Sequence, residues 1–320
     1  MPAACLPQWF PDKRIGRMKL HKSSRDRLVV GLYKSGAFLL KVFPSEFTDL
    51  LSVLGGTFAF VAAPKKRRIV ADNQARVISN RLSKTSCYWL AIKAYVSYAR
   101  YWIEALSVGN LAKADLDAKV SFHGFENIYK ALGEGNGVIV TSPHLGNWDL
   151  GAAWFASKGY PITAVMENLE PRELFDWFAE HRVSFGVRAI PASSTVFGEL
   201  SKALGRGEII ALVADRDLLS SGVEVDFFNE RTLIPQGVAL LALRTGAPII
   251  PTAIYMLPGG FHLAMALDPI VAKREGDLRQ DVKRITEEVV KRFEMLITAD
   301  PVQWHLFQPN WPSQSENFPK

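Results

Sequence analysis

From residue 116 onward the chain alternates two periods, and this alternation constrains its fold more than any other feature. "KVSFHG", "GVIVTS", "PITAVME", "VRAIP" and "EIIALVAD" are short runs rich in β-branched residues. Between them lie a segment through Tyr129, one starting at Asn147, "PRELFDWFAEHRVSFG" and "STVFGELSKALGRG", with apolar residues at helical spacing. Strands joined through single helices need crossover connections, and crossovers give parallel neighbours. The predicted fold is α/β, a mainly parallel central sheet covered by helices on both faces. A chain of 320 residues, 48% of them hydrophobic, can bury a core of that size.

The first part of the chain is different, and we divide it from the rest near residue 115. Region 1–115 reads as a helical, basic extension and 116–320 as the α/β core, the two forming one integrated unit. Residues 1–30 carry seven Lys/Arg against Asp12 and Asp26, a net of +5, and residues 65–84 carry seven against Asp72, a net of +6. Residues 31–64 balance, so the first 84 residues hold +11 and the remainder −5. Between the basic clusters lies the charge-free apolar stretch 50–63. At 14 residues, with Gly55 and Gly56 inside, it falls short of the roughly 18 needed for a spanning helix. Apolar helices flanked by Lys and Arg suit a segment lying on an anionic membrane surface, and a helical hairpin packed on the core is the alternative. There is no early apolar region and cleavage site of the signal-peptide kind. No zinc pattern or aromatic RNA-binding signature accompanies the basic clusters, which argues against nucleic acid as a partner.

Two cysteines, Cys5 and Cys87, far apart and outside any CxxC pair, give neither a disulfide framework nor a metal site. A reducing, cytoplasmic setting follows as the default. The glycines of "LGEGNGVIV" precede a strand, whereas a dinucleotide-binding turn must follow one, so they read as a helix end and a turn.

Chemistry concentrates in "VIVTSPHLGNWDLGAAW". A buried strand stops at Pro143, Asn147 caps the next helix, and His144 is left on the strand-to-helix turn. Asp149, five positions on, is a carboxylate suited to fixing the His144 tautomer so that the second ring nitrogen faces outward as a base. Backbone N–H groups at the helix start near Asn147 offer a site for an oxyanion. Ser142 lacks a nucleophile elbow and precedes proline, which disfavours an acyl-serine route. "ALVADRDLLSSGVEVDFF" places Asp215, Arg216 and Asp217 directly after a buried run, at the edge of the sheet where open α/β folds bind ligands, with Glu224 on a short second strand. The bland alternatives are a surface ion-pair run and a solvent-facing strand position.

These blocks, together with "IPQGVALLALRTGAPIIPTAIY", their order, and the "SYARYWIEAL" that precedes them, resemble the lysophospholipid acyltransferase superfamily. Within it the bacterial lipid A and phosphatidylinositol mannoside acyltransferases are nearest, over roughly residues 90–270. "HLGNWD", "ADRD", "GVEVDFF" and "TGAPIIP" look closest to the mannoside branch.

The resemblance implies acyl transfer from a thioester, acyl-CoA or acyl-carrier protein, to a sugar hydroxyl of a membrane glycolipid at the cytoplasmic face of the bacterial inner membrane. No cofactor or metal is implied. His144 would be the general base, Asp149 its orienting partner, and Glu224 a second carboxylate on His144. Arg216 would hold donor phosphate or that carboxylate, with Asp215, Asp217 and Asn147 beside it and Glu167 and Arg182 near the acceptor. Alternative functions are a lipid A-type acyltransferase, a thioesterase or other hydrolase using the same residues, and a non-catalytic lipid-binding protein.

Overall fold

The computed structural model describes residues 27, 30, 31, 33–38, 47–79, 82–217 and 221–315. The first basic cluster, apart from Arg27, lies outside the described residues, as do Cys5 and Arg81. Before the sheet come α1 (Thr48–Ala62), α2 (Pro64–Val77), α3 (Lys84–Ser107) and α4 (Lys113–Lys119). The core follows as β1 (Val120–His123), α5 (Glu126–Gly133), β2 (Val138–Ser142), α6 (Trp148–Ser157), β3 (Ile162–Met166), α7 (Arg172–Ser184), β4 (Val187–Pro191), α8 (Val196–Leu204) and β5 (Ile209–Val213). A hairpin of β6 (Val223–Phe227) and β7 (Glu230–Ile234), then α9 (Gly237–Thr245), β8 (Ile249–Met256), β9 (His262–Ala266), α10 (Leu278–Ala299) and a last short helix, Pro312–Ser315, follow.

Seven strands form the main sheet in the order β1-β9-β8-β2-β5-β3-β4. Every neighbouring pair is parallel except β8 with β9. The predicted α/β architecture is therefore present. The antiparallel step was not predicted, because a turn built on Pro258, Gly259 and Gly260 sends β9 straight back beside β8 without a helical crossover. Strand alternation accounts for the two-faced cover. Ile139, Ile210 and Ile249 join the cluster under α8, α9 and α10, while the adjacent Val138, Ile209 and Ile250 join the cluster under α4, α5 and α6. Gly133 ends α5, and Gly135 and Gly137 have positive φ, so the glycine cluster is the helix end and turn expected.

α1 is the unusual helix. It packs on α3 through small residues: Ser52 and Gly56 are buried, and a Cβ on Gly56 would sit 2.5 Å from the Val96 Cα. Phe60 packs inward against Tyr88 and Tyr95, but Leu50, Val53, Leu54, Phe58 and Val61 face outward, with Phe58 76% exposed. Among the described residues no helix is long and apolar enough to cross a membrane. Cys87, on α3, is buried against α2.

The turn after β2 is clamped from two sides. Asn147 N–H donates to Ile254 O of β8 at 2.8 Å, and Gly146 N–H to Gln303 O of the C-terminal segment at 3.0 Å. Gly146 has φ +63°, and a Cβ there would lie 1.9 Å from Ile254 O. Only glycine satisfies both the left-handed backbone and that approach. Gly146→Ala is expected to destabilise the fold by about 2 kcal/mol or more. Thermal denaturation checks this, and an unchanged midpoint would show that β8 does not hold the turn.

Candidate active site

Asp215 follows directly on β5, with its side chain fully buried. Its Oδ1 accepts from His144 Nδ1 at 2.5 Å and its Oδ2 from Trp304 Nε1 at 2.8 Å. Burial alone would push the carboxyl up. The His144 contact and the indole N–H outweigh burial and hold it below the ordinary carboxylate range. A carboxylate cannot donate, so His144 Nδ1 carries the hydrogen and Nε2 is left as the basic nitrogen. The His144 side chain is 19% exposed, and Trp148 stands edge-on to its ring with centroids 5.4 Å apart.

Asp149 corrects the expected pairing. It points away from His144 into a second, buried network, in which Oδ1 accepts from Arg182 Nε at 2.8 Å and Oδ2 from Arg182 Nη2 at 3.1 Å and from the Tyr101 hydroxyl at 2.8 Å. The reason is helical geometry. Asp149 lies in the first turn of α6, which directs its side chain toward α3 and α7. Burial, reinforced by the nearby Asp149, pushes the Tyr101 hydroxyl well above its ordinary value, so it remains a donor. For Arg182 burial works against the charge, and the contact with Asp149 outweighs it.

Glu224 also departs from expectation. It lies on β6 with its side chain 62% exposed, 3.9 Å from Arg231, and the second carboxylate expected on His144 is supplied by Asp215 instead. Alternation along β6 explains this, since Val225 and Phe227 turn inward and Glu224 therefore turns outward. Asp217 accepts from Gly222 N–H at 2.7 Å, just ahead of β6. Arg216 donates to Gln308 Oε1 at 2.5 Å and to Glu167 Oε2 at 2.8 Å, which brings two of the predicted residues together.

Asn147 is wholly buried and fully used. Its Oδ1 accepts from Leu150 N–H at 3.1 Å and its Nδ2 donates to Glu104 Oε2 at 2.9 Å. Glu104 also accepts from Arg100 Nε at 2.7 Å and meets His262 Nε2 at 2.8 Å. Burial raises the Glu104 carboxyl, but these partners prevail and leave it low. Three N–H groups of the turn, on Gly146, Asn147 and Leu150, thus already have partners and do not serve an oxyanion.

The sequence reading missed the C-terminal contributors, Trp304, His305, Gln308 and Asn310. Their signal is compositional, an unusual density of aromatic and amide side chains in "VQWHLFQPNW" that follows neither period. His305 N–H donates to His144 O at 2.7 Å. Burial pushes the His305 imidazole down to about 3, with His144 adding to the effect, so its ring is neutral.

An apolar cavity of about 100 Å³ runs between the sheet and α6. Trp148, Asp149 and Arg182 form its polar end, and Gly151, Ala164 and Ala211 line the interior. Among the described residues no group of His, Cys, Asp and Glu could hold a metal ion.

The two carboxylates are expected to fail differently. Asp215→Asn should lower turnover on the order of 10³-fold or more, through loss of the correct tautomer, with little change in stability. Asp149→Asn weakens the pairing of a buried guanidinium and should cost about 3 kcal/mol of stability. Turnover and thermal denaturation of both variants decide, and identical behaviour would remove the distinction between the networks.

Comparison with known proteins gives the family. The sequence profile of the family described as bacterial lipid A biosynthesis acyltransferase matches residues 18–313. A phosphatidylinositol mannoside acyltransferase of Mycolicibacterium smegmatis is 35% identical over 282 residues, 87% of this chain and 90% of the relative. One of Mycobacterium tuberculosis is 35% identical over 222 residues, 67% of this chain and 68% of the relative. The described residues carry the fold and the profile match spans nearly the whole length, so the chain belongs to the bacterial lipid A biosynthesis acyltransferase family.

Proposed function

We propose that the protein transfers a fatty acyl chain from a thioester donor to a sugar hydroxyl of a membrane glycolipid of the phosphatidylinositol mannoside kind, with His144 as general base. The observation that carries this is the position of the His144–Asp215 pair. It stands beside Trp148, which also lines the polar end of the apolar cavity. The relatives' names supply the acceptor class.

In the proposed step His144 Nε2 takes the proton from the acceptor hydroxyl while that oxygen bonds to the thioester carbonyl carbon. Collapse of the tetrahedral intermediate breaks the C–S bond, and the imidazolium returns its proton to the departing thiolate. Base assistance of this kind contributes roughly 10² to 10⁴-fold, and positioning supplies much of the remainder. The cavity takes the acyl chain, at about 0.8 kcal/mol for each methylene buried. Arg182 faces the polar end of that cavity, and Arg216 with Glu167 forms a polar edge for donor or acceptor groups. The donor is acyl-CoA or an acyl-carrier protein, and it is a substrate; the step needs no cofactor.

The outward face of α1, with Trp89 63% exposed on α3 and Lys65, Lys66 and Arg68 exposed at the start of α2, docks the enzyme on the cytoplasmic surface of an anionic inner membrane. The five large apolar side chains on that outer face have no apolar cover, and adjacent cations suit acidic headgroups.

Donor turnover is expected to depend on acceptor. Acyl-CoA consumed with a mannosylated phosphatidylinositol should yield acylated glycolipid, and acyl-CoA consumed equally without it would mark a hydrolase. Binding to vesicles containing an anionic phospholipid should weaken as salt rises, because exposed charges are screened within about 8 Å at physiological ionic strength. Charge reversal at Lys65, Lys66, Arg67 and Arg68 should weaken it further, and salt-insensitive retention would contradict surface docking.

A further inference from the structure

The C-terminal segment 303–310 touches both partners of the proposed dyad and no periodic feature of the sequence accounts for it. Gln303 O accepts from Gly146 N–H, Trp304 bridges Leu145 in antiparallel pairing, and His305 N–H holds His144 O. Asn310 Nδ2 donates to the backbone carbonyl of Asp215 at 3.2 Å, and Gln308 receives Arg216. Trp304 is 1% exposed, packed against Phe227, Phe228 and Trp311. Its one polar atom is aimed at Asp215 Oδ2.

We propose that this segment is a strap that sets the dyad, with Trp304 as the positioning residue: its indole N–H fixes Asp215 Oδ2, so that Oδ1 faces His144 Nδ1. Trp304 makes no claim on substrate. It acts through Asp215, and the proposal rests on His144 being the base. A carboxylate flanked by a protonatable imidazole and a neutral donor shares its charge between them. Removal of the indole donor concentrates that charge toward His144, and the dyad then binds its proton more tightly.

Among the described residues the ionisable groups acting on Asp215 are His144 from the turn after β2 and His305 from the strap, while the next residue, Arg216, turns to Gln308 and Glu167. His305 is neutral, as described, and an arginine keeps its charge at any working pH, so neither changes its charge beside the dyad. The direction follows: weakening the donor moves proton uptake by the dyad to higher pH.

The test is Trp304→Phe, which keeps an aromatic ring against Phe227 and Phe228, together with the benzothienyl analogue of tryptophan at 304, which keeps the full ring shape and loses only the N–H. Folded variants should show kcat lowered about tenfold with donor KM unchanged. The acidic limb of the kcat/KM profile should move up by about one pH unit. NMR titration of the His144 ring protons, without substrate, should move in the same direction. An unshifted limb and titration, whether turnover is normal or uniformly lower, would overturn the proposal. So would failure of the benzothienyl protein to fold, which would make the N–H a folding determinant. A shifted NMR titration in a protein that transfers no acyl group would leave the strap standing and remove the transfer reading instead.

Discussion

The buried carboxylate of Asp215 is the constraint on which the rest of the site depends. A charge with no exposure to water must be matched on every side, because leaving one oxygen unpaired costs several kcal/mol. Its two oxygens are matched by elements far apart in sequence, the turn after β2 and the C-terminal strap. The fold brings both to the end of β5, which pairs with β2 in the middle of the sheet. A buried anion there holds the His144 ring in one orientation.

The second network serves a different purpose. Asp149, Arg182 and Tyr101 tie α6, α7 and α3 together at the polar end of the apolar cavity. Glu104, Asn147 and His262 do the same one turn away, so α3 of the N-terminal region is part of the site's framework. Asn147 is a structural cap whose donor anchors it to α3, which explains how a residue chosen for substrate binding is fully occupied without substrate.

Much of this was legible in the sequence where a single period governs. The strand and helix alternation specified the sheet, and the H-x-x-x-x-D turn singled out the histidine that meets a buried carboxylate, because both depend on local pattern. The pairing inside the site was not legible. Sequence spacing placed Asp149 near His144, but the start of α6 turns it toward Arg182, and Asp215 reaches His144 only through the pairing of β2 with β5. Glu224 was misplaced for a related reason: it follows Asp215 closely in sequence, yet the alternation of β6 faces it to solvent. Trp304 and His305 stand out in the sequence only by composition, which names no partner, since they lie 89 and more residues beyond Asp215 and arrive by tertiary packing.

The central claim is that His144, held by Asp215, is the base of an acyl transfer. Single-turnover transfer of a labelled acyl group from acyl-CoA to a mannosylated phosphatidylinositol, comparing wild type with His144→Ala, tests it most directly. A loss of at least about 10²-fold is predicted, with folding and donor binding retained. A His144→Ala protein that kept more than about a tenth of the wild-type rate would contradict it, since general-base assistance is worth no less than the first figure.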